Sequence, residues 1–274
     1  MFSKPKTRWW LYIVLSVMLA GVMLPFVWMV LGSFKPNSEL MASPPSWLPQ
    51  NPSLDNFRLL FEKAAFGTYF VNSLVVAVSV VAGNLLFSAM LGYALARLDF
   101  PGKRIIFGAV MGSLMIPGLV LFIPQFILAA NLHLIGNLFA LILPFLVQPF
   151  GVFLMRQFFL GLPKDLGEAA RIDGAGEFGV FFRIYLPLAV PAFATLGILT
   201  FLGSWNNFLW PLVVSVNEST YTLPVGLALV ANGQHQSDYG LLLAGATVVV
   251  APILAVFLLL QRYFIEGIAT SGIK

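Results

Sequence analysis

One stretch of the chain brings acids, a base and helix-forming residues close together. It runs Leu162-Pro163-Lys164-Asp165-Leu166-Gly167-Glu168-Ala169-Ala170-Arg171-Ile172-Asp173-Gly174. The spacing predicts a short helix with acids toward its N-terminus, where the helix dipole favours negative charge. Gly174 is placed to end that helix as a C-terminal cap. Glu168 and Arg171 stand three apart and can pair on one face. Ala169 and Ala170 keep the helix thin, which suits docking into a groove of another protein. A second short helix with Phe178, Phe181 and Phe182 follows. Ile184, Leu186 and Pro187 then lead into an apolar run, with Pro187 near the first turn, where proline is tolerated. The chemistry on offer is recognition rather than bond making. The competing reading of the same residues is an interfacial helix that only floors a membrane domain.

The remaining candidates are sparse. The chain has no Cys, which excludes disulfides, thiolate metal sites and Cys nucleophiles. His133 and His235 are far apart, so a His-based metal site has little to work with. Gly102-Lys103 lacks the earlier glycine and the hydroxyl residue of a phosphate-binding P-loop, and no Gly-x-Ser-x-Gly occurs. Trp205, Asn206 and Asn207 combine an aromatic face with amides, a set that suits a sugar: the ring stacks on C–H groups and the amides bond hydroxyls. The same residues also fit a plainer role, since Trp is enriched at membrane interfaces and Asn can bond across helices.

The elements that must position these residues are membrane helices. Of 274 residues 59% are apolar and 9% charged, against the usual quarter charged in soluble domains, and the mean hydropathy is +0.91. No Asp, Glu, Lys or Arg occurs in 9–34, 64–96, 105–155, 184–217 or 239–261. One crossing needs roughly 20 apolar residues for about 30 Å of hydrocarbon, and four of the gaps fit one crossing each. The gap 105–155, at ~1.5 Å per residue, would be a helix of about 77 Å. It must fold back, and Asn131, His133, Gly136 and Asn137 supply the turn. Six helices result, at about 9–34, 68–96, 105–129, 138–158, 187–214 and 239–262. The first is read as a retained helix rather than a signal peptide, because its apolar run continues without a small-x-small cleavage site.

Charge sets the orientation. Twelve of the fifteen Lys and Arg fall on one side: Lys4, Lys6, Arg8, Arg97, Lys103, Arg104, Arg156, Lys164, Arg171, Arg183, Arg262 and Lys274. Lys35, Arg58 and Lys63 fall on the other. The positive-inside rule puts the twelve, and both termini, in the cytoplasm. The pI near 9.4 is thus a topology signal and calls for no nucleic-acid partner. Outside, the Pro-rich segment after Lys35 starts stiff and extended, and Leu54, Phe57 and Phe61 beside Asp55, Arg58 and Glu62 predict an amphipathic helix at the interface. Ser88, Gly92 and Ala96 recur every four residues and permit close helix approach, within the chain or between subunits. Pro117 and Pro124 are expected to break the third span. The apolar runs bury no Asp, Glu, Lys or Arg, which disfavours a carrier driven by its own ion site.

Glu168-Ala169-Ala170, Gly174, Ile184 and Leu186-Pro187 resemble the EAA loop of ATP-binding-cassette (ABC) importer permeases, spacing included. Asn72-Ser73, the run from Tyr93 to Lys103, the stretch from Trp205 to Leu212, Thr222 to Gly226, and Gln261 to Phe264 are similar to the maltose-type carbohydrate branch, specifically its second permease subunit. His133 to Asn137 departs from that pattern at an outer turn. The resemblance covers most of the chain and implies an all-α integral membrane protein of the type I importer fold. Residues 1–8 would be a cytoplasmic tail and 9–274 a single transmembrane domain, with 35–67 outside, 162–186 the cytoplasmic loop and 263–274 a cytoplasmic tail that also touches the ATPases. It implies a second permease chain, two cytoplasmic ATPase subunits, an extracytoplasmic solute-binding protein that delivers a sugar, and residence in a prokaryotic cell membrane. Glu168, Ala169, Ala170, Asp173 and Gly174 would couple to the ATPases, and Trp205, Asn206 and Asn207 would lie on the solute pathway. The chain would not itself be an enzyme and would bind no cofactor; ATP and Mg would sit in the partner ATPases. The alternatives are a stand-alone ion-coupled carrier or channel, and a membrane-embedded enzyme, for which no catalytic set is present. The charge split predicts that a tag inserted near Ser46 is labelled only from outside and one near Glu177 only from inside; labelling of both from one side would break the six-helix topology.

Overall fold

The computed structural model describes the backbone of residues 9–63, 65–232 and 238–271. The tail 1–8, His235 and Lys274 lie outside the described residues. Among the described residues all regular structure is helical. In chain order the first helices are α1 (Trp9–Ser33), α2 (Asn37–Leu40), α3 (Asp55–Lys63), α4 (Phe66–Arg97), α5 (Lys103–Met115), α6 (Gly118–Asn131), α7 (Leu138–Ile142) and α8 (Pro149–Gly161). They are followed by α9 (Asp165–Ile172), α10 (Glu177–Val180), α11 (Leu186–Leu188), α12 (Val190–Trp205), α13 (Leu209–Val214), α14 (Leu223–Asn232) and α15 (Tyr239–Ser271).

Four stretches are long and apolar enough to cross a bilayer: Trp9–Ser33, Phe66–Arg97, Leu138–Gly161 and Tyr239–Leu259. Two further spans are bent helix pairs, so the number reaches six when each pair counts as one. The expected third span bends by 106° between α5 and α6. There Ile116 takes an extended backbone (φ −83°, ψ 119°), because the ring of Pro117 disfavours helix in the residue before it. Pro124 does not break the span: α6 runs through it. The fifth span bends by 76° between α10–α11 and α12, and it stops short of the expected 214. Asn206 caps α12 with φ −88° and ψ 2°, its side-chain amide donating to the Leu202 carbonyl at 3.0 Å. Such local side-chain bonds compete with helix continuation, and Pro211 has no N–H to offer the Asn207 carbonyl. The turn at 131–137 forms as expected: His133 (φ 55°) and Gly136 (φ 78°) take left-handed backbones, and Asn137 caps α7 by accepting from the Phe139 N–H at 3.0 Å. The last helix continues beyond the expected 262 to Ser271.

The chain divides into two compact units, residues 1–66 with 226–251 and residues 67–225 with 252–274. In the first, α1 buries only Gly32 and Ser33. Asn56 of α3 donates to the carbonyls of Ser33 and Lys35, each at 2.8 Å. The buried Lys35 ammonium donates to the Ser46 carbonyl and lies 4.8 Å from the Trp28 ring centre. The Ser46 hydroxyl, the Gln50 N–H and Lys35 hold the Glu39 carboxyl below its ordinary pKa, the hydroxyl most strongly. The buried face of α3 is Asn56 and Leu60, whereas Leu54 and Phe61 are exposed, as a helix lying in an interface requires.

In the second unit, α4 is the spine. One core joins Val76 and Val80 to Ala129, Ala140, Leu141, Trp210 and Val214. A second joins Ala89 and Tyr93 to Met155, Phe159, Phe181, Tyr185 and Leu196. The small-residue stripe of α4 serves packing within the chain. A Cβ on Gly92 would sit 2.8 Å from the Met155 Cβ, and one on Gly151 would sit 2.6 Å from the Ser88 Oγ. Asn84, wholly buried, closes a break in the neighbouring span. That span loses α-helix from Leu143 to Gln148, and Asn84 accepts from the freed Gln148 N–H at 3.0 Å and from the Ser88 hydroxyl at 2.8 Å. Its amide donates to the Thr200 hydroxyl at 2.8 Å. Asn84→Leu removes the acceptor of the part-buried Gln148 N–H, a loss of about 1 kcal/mol or more. The variant should unfold at lower temperature or denaturant than wild type in detergent, while a change at an exposed position of the same helix such as Leu86→Ala should not.

Candidate functional site

Helix α9 is short and ends as its sequence dictates. Gly174 has φ +86°, the left-handed conformation that favours glycine. The Gly174 N–H donates to the Arg171 carbonyl at 3.0 Å and the Ala175 N–H to the Ala170 carbonyl at 2.9 Å. These two bonds form a Schellman cap and turn the chain back toward α10. Gly174 faces open space, with nothing within 4 Å of an added Cβ, so only its backbone resists a larger residue.

The inner face of α9 is Gly167 and Ala170, both buried. A Cβ on Gly167 would lie 2.8 Å from the Tyr185 hydroxyl oxygen, so the missing side chain is what lets α9 seat on that ring. The outer face carries Leu166, Glu168, Ala169, Ile172 and Asp173, all exposed. Ile172 is 86% exposed and Phe178 of α10 is 72% exposed. Two large apolar side chains so far in the open, flanked by two acids, are what a docking surface presents.

The expected Glu168–Arg171 pair is replaced by another. Arg171 reaches across the turn to Glu177, with Nε to Oε1 at 2.7 Å and Nη2 to Oε2 at 3.2 Å. The turn at Gly174 folds α10 back beside α9, so a planar guanidinium meets a carboxylate with both nitrogens. This two-pronged geometry is stronger than a single i,i+3 contact. The bond to Glu177 raises the Arg171 pKa, keeping it charged. Glu168 is thereby left outward, available to another chain.

Two residues of the site, Tyr93 and Arg97, carry no site role in the sequence alone. The Tyr93 hydroxyl donates to Glu177 at 2.9 Å. The Arg97 guanidinium donates to the carbonyls of Phe159 and Leu162, the end of α8 where the segment begins, and lies 5.1 Å from the Tyr185 ring centre. Their signal was the four-residue spacing of a phenol and a guanidinium at the basic end of a long span. A polar cavity of about 720 Å³ lies beside them, lined by Arg97, Lys103, Lys164, Glu168, Arg171 and Glu177 among others.

The second candidate group lies elsewhere in the unit. Trp205 is the last residue of α12 and 1% exposed. Its ring stacks on Phe201 at 5.4 Å and meets Phe70 edge-on at 5.9 Å. Asn206 is exposed and Asn207 half-buried at the unwound end of the helix. Both stand at a helix break just after the buried tryptophan, and the Asn206 amide nitrogen is held on the Leu202 carbonyl. Among the described residues no cluster of His, Asp and Glu able to hold a metal forms.

Residues 85–270 match the model of the family described as binding-protein-dependent transport system inner membrane component. The chain is 42% identical over 275 residues to the arabinooligosaccharides transport system permease protein AraQ of Halalkalibacterium halodurans, covering 99% of this chain and 98% of that protein. It is 38% identical over 254 residues to the diacetylchitobiose uptake system permease protein NgcG of Streptomyces coelicolor, covering 92% and 83%. Its fold is similar to a chain in the crystal structure of a bacterial ABC transporter involved in the import of the acidic polysaccharide alginate, with a TM-score of 0.82, 23% identity, and coverage of 96% and 99%. The seat of α9 yields a test. Gly167→Val adds atoms where the Tyr185 ring already stands, an overpacking cost of about 1–3 kcal/mol. Trypsin should then cut at Lys164 and Arg171 faster in membrane vesicles than in wild type; unchanged cleavage would mean that α9 does not rest on Tyr185.

Proposed function

We propose, because this chain belongs to the family of binding-protein-dependent transport system inner membrane components, that it moves a saccharide across the cell membrane as one half of a two-permease pore. It is a permease subunit of an ABC importer. The relatives named for arabino-oligosaccharides and diacetylchitobiose support a sugar as solute. They favour this reading over a stand-alone carrier, and so does the lack of any Asp, Glu, Lys or Arg in the apolar runs.

The observation that carries the mechanism is the outward face of α9 in a chain with no nucleotide loop. A permease without its own energy source must receive work through a contact. Glu168 and Ala169, with Asp173 and the capped end at Gly174, form the surface that seats in a cytoplasmic ATPase subunit, and Ala170 packs that helix from its inner face. Ile172 and Phe178 supply apolar area to that contact, and Glu168, free of an internal partner ion, supplies charge. ATP and Mg are held by the two ATPases and sugar is delivered by an extracytoplasmic binding protein. Asn206 and Asn207 lie on the solute pathway, where their amides bond hydroxyls, and Trp205 holds them in place from behind.

Two variants test the coupling surface. Gly174→Leu strains a left-handed backbone by about 1–2 kcal/mol, and Glu168→Lys reverses an exposed charge without breaking an internal ion pair. Both should reach the membrane in normal amounts. Loss of a central contact residue costs about 2 kcal/mol or more, a factor above roughly tenfold, so ATPase association and ATP-driven uptake should fall by at least that much. Full association in both variants would remove α9 from the coupling role.

A further inference from the structure

Tyr93 and Arg97 stand four apart near the end of α4 and so share one face. They hold the two ends of the docking segment. Arg97 takes the carbonyls of Phe159 and Leu162 at its entry, and Tyr93 takes Glu177 at its exit. Glu177 in turn grips Arg171 of α9 with both oxygens. An unbroken chain of charge-assisted bonds therefore runs from the outward helix to the longest span of its unit. Packing also acts here: the Tyr93 ring lies 5.2 Å from Phe181 and 5.3 Å from Tyr185. Ring contacts are soft, however, and an apolar cavity of about 220 Å³ adjoins them, lined by Met90, Tyr93, Ala94, Leu98, Phe178 and Phe181 with Glu177 at its edge. That void leaves room for α10 to slide against α4, whereas directed hydrogen bonds to a carboxylate resist sliding.

We propose that Tyr93 and Arg97 are positioning residues that make α4 and the docking segment move as one body, so that a displacement imposed on α9 by an ATPase is passed to α4 through Arg171, Glu177 and Tyr93. The inference rests on the permease reading above. It assigns the transmitting step to α4 rather than to the direct chain continuation into α12, where the backbone is bent by 76° and a π-turn spans Phe181–Tyr185.

The test uses the assembly with its ATPase subunits in lipid nanodiscs, nucleotide-free and trapped with ATP and vanadate, so no solute is needed. Spin labels replace Asp165 on α9 and Leu86 on α4, both exposed. In wild type the label distance should be the same in both states. Tyr93→Phe keeps the ring and removes only the hydroxyl. Arg97→Lys keeps the charge and removes the fork. In each variant the distance should change on trapping by about 2 Å or more, the scale of helix shifts in switching proteins. Lost packing alone would alter both states alike. Glu177→Gln added to Tyr93→Phe should alter the distance little further, because the two interrupt the same series of bonds from Arg171 to α4. If ATPases assemble and Tyr93→Phe matches wild type in both states, the link is overturned and the permease reading stands. If no ATPase assembles on the wild-type chain, the permease reading fails and this inference falls with it.

Discussion

Hydrocarbon offers no hydrogen-bond partner, so every break in a membrane helix must be satisfied by the protein itself. In the unit built on α4, one helix supplies those partners. Asn72 donates to the carbonyls of Ser219 and Tyr221, and the Ser73 hydroxyl accepts from the Leu223 N–H. Asn84 serves the freed N–H at Gln148, and Arg97 serves the carbonyls at the end of α8. Trp210 adds a bond from outside the spine, its indole N–H donating to the Ala140 carbonyl at 2.9 Å. The unbroken 32-residue α4 thus permits its neighbours to break.

Those breaks are where the candidate functions lie. A continuous helix presents side chains and no backbone. A broken one exposes amides and carbonyls and changes direction, as at Asn206 and at Ile116. The chain concentrates its few polar groups at such points and leaves the rest of each span apolar. Because no charge is stored within the apolar runs, the energy for movement enters at the cytoplasmic loop in the proposed reading. On the cytoplasmic side, the loop is accordingly where acids, bases and exposed apolar residues meet.

The loop is built to be both firm and available. Its inner face is made of the smallest side chains, Gly167 and Ala170, against the buried Tyr185. Its own charges pair inward through Arg171 and Glu177, which leaves Glu168 and Ile172 outward. The Schellman turn at Gly174 brings these two sets of residues back to back in very little chain.

Much of this was legible in the residues. The charge-free runs, the turn at 131–137, the helix from Asp165 and its glycine cap follow from local rules: hydropathy, capping and the left-handed preference of glycine act over a few neighbours. The continuity of the spans was less legible. Pro117 and Pro124 look alike in sequence, yet only the first bends the chain, since α6 runs unbroken through the second. The apolar run from 187 likewise predicts helix to 214 although the helix ends at Trp205, because the Asn206 side chain can close on Leu202 or extend outward with no change in sequence. Spacing allows Arg171 to pair with Glu168, but the partner it takes, Glu177, arrives only when the turn folds α10 back. Long-range partners such as Asn84 with Gln148, or Tyr93 with Glu177, lie 64 and 84 residues apart. Nothing local encodes them; they follow from which helices pack together, and that is settled by the fold as a whole.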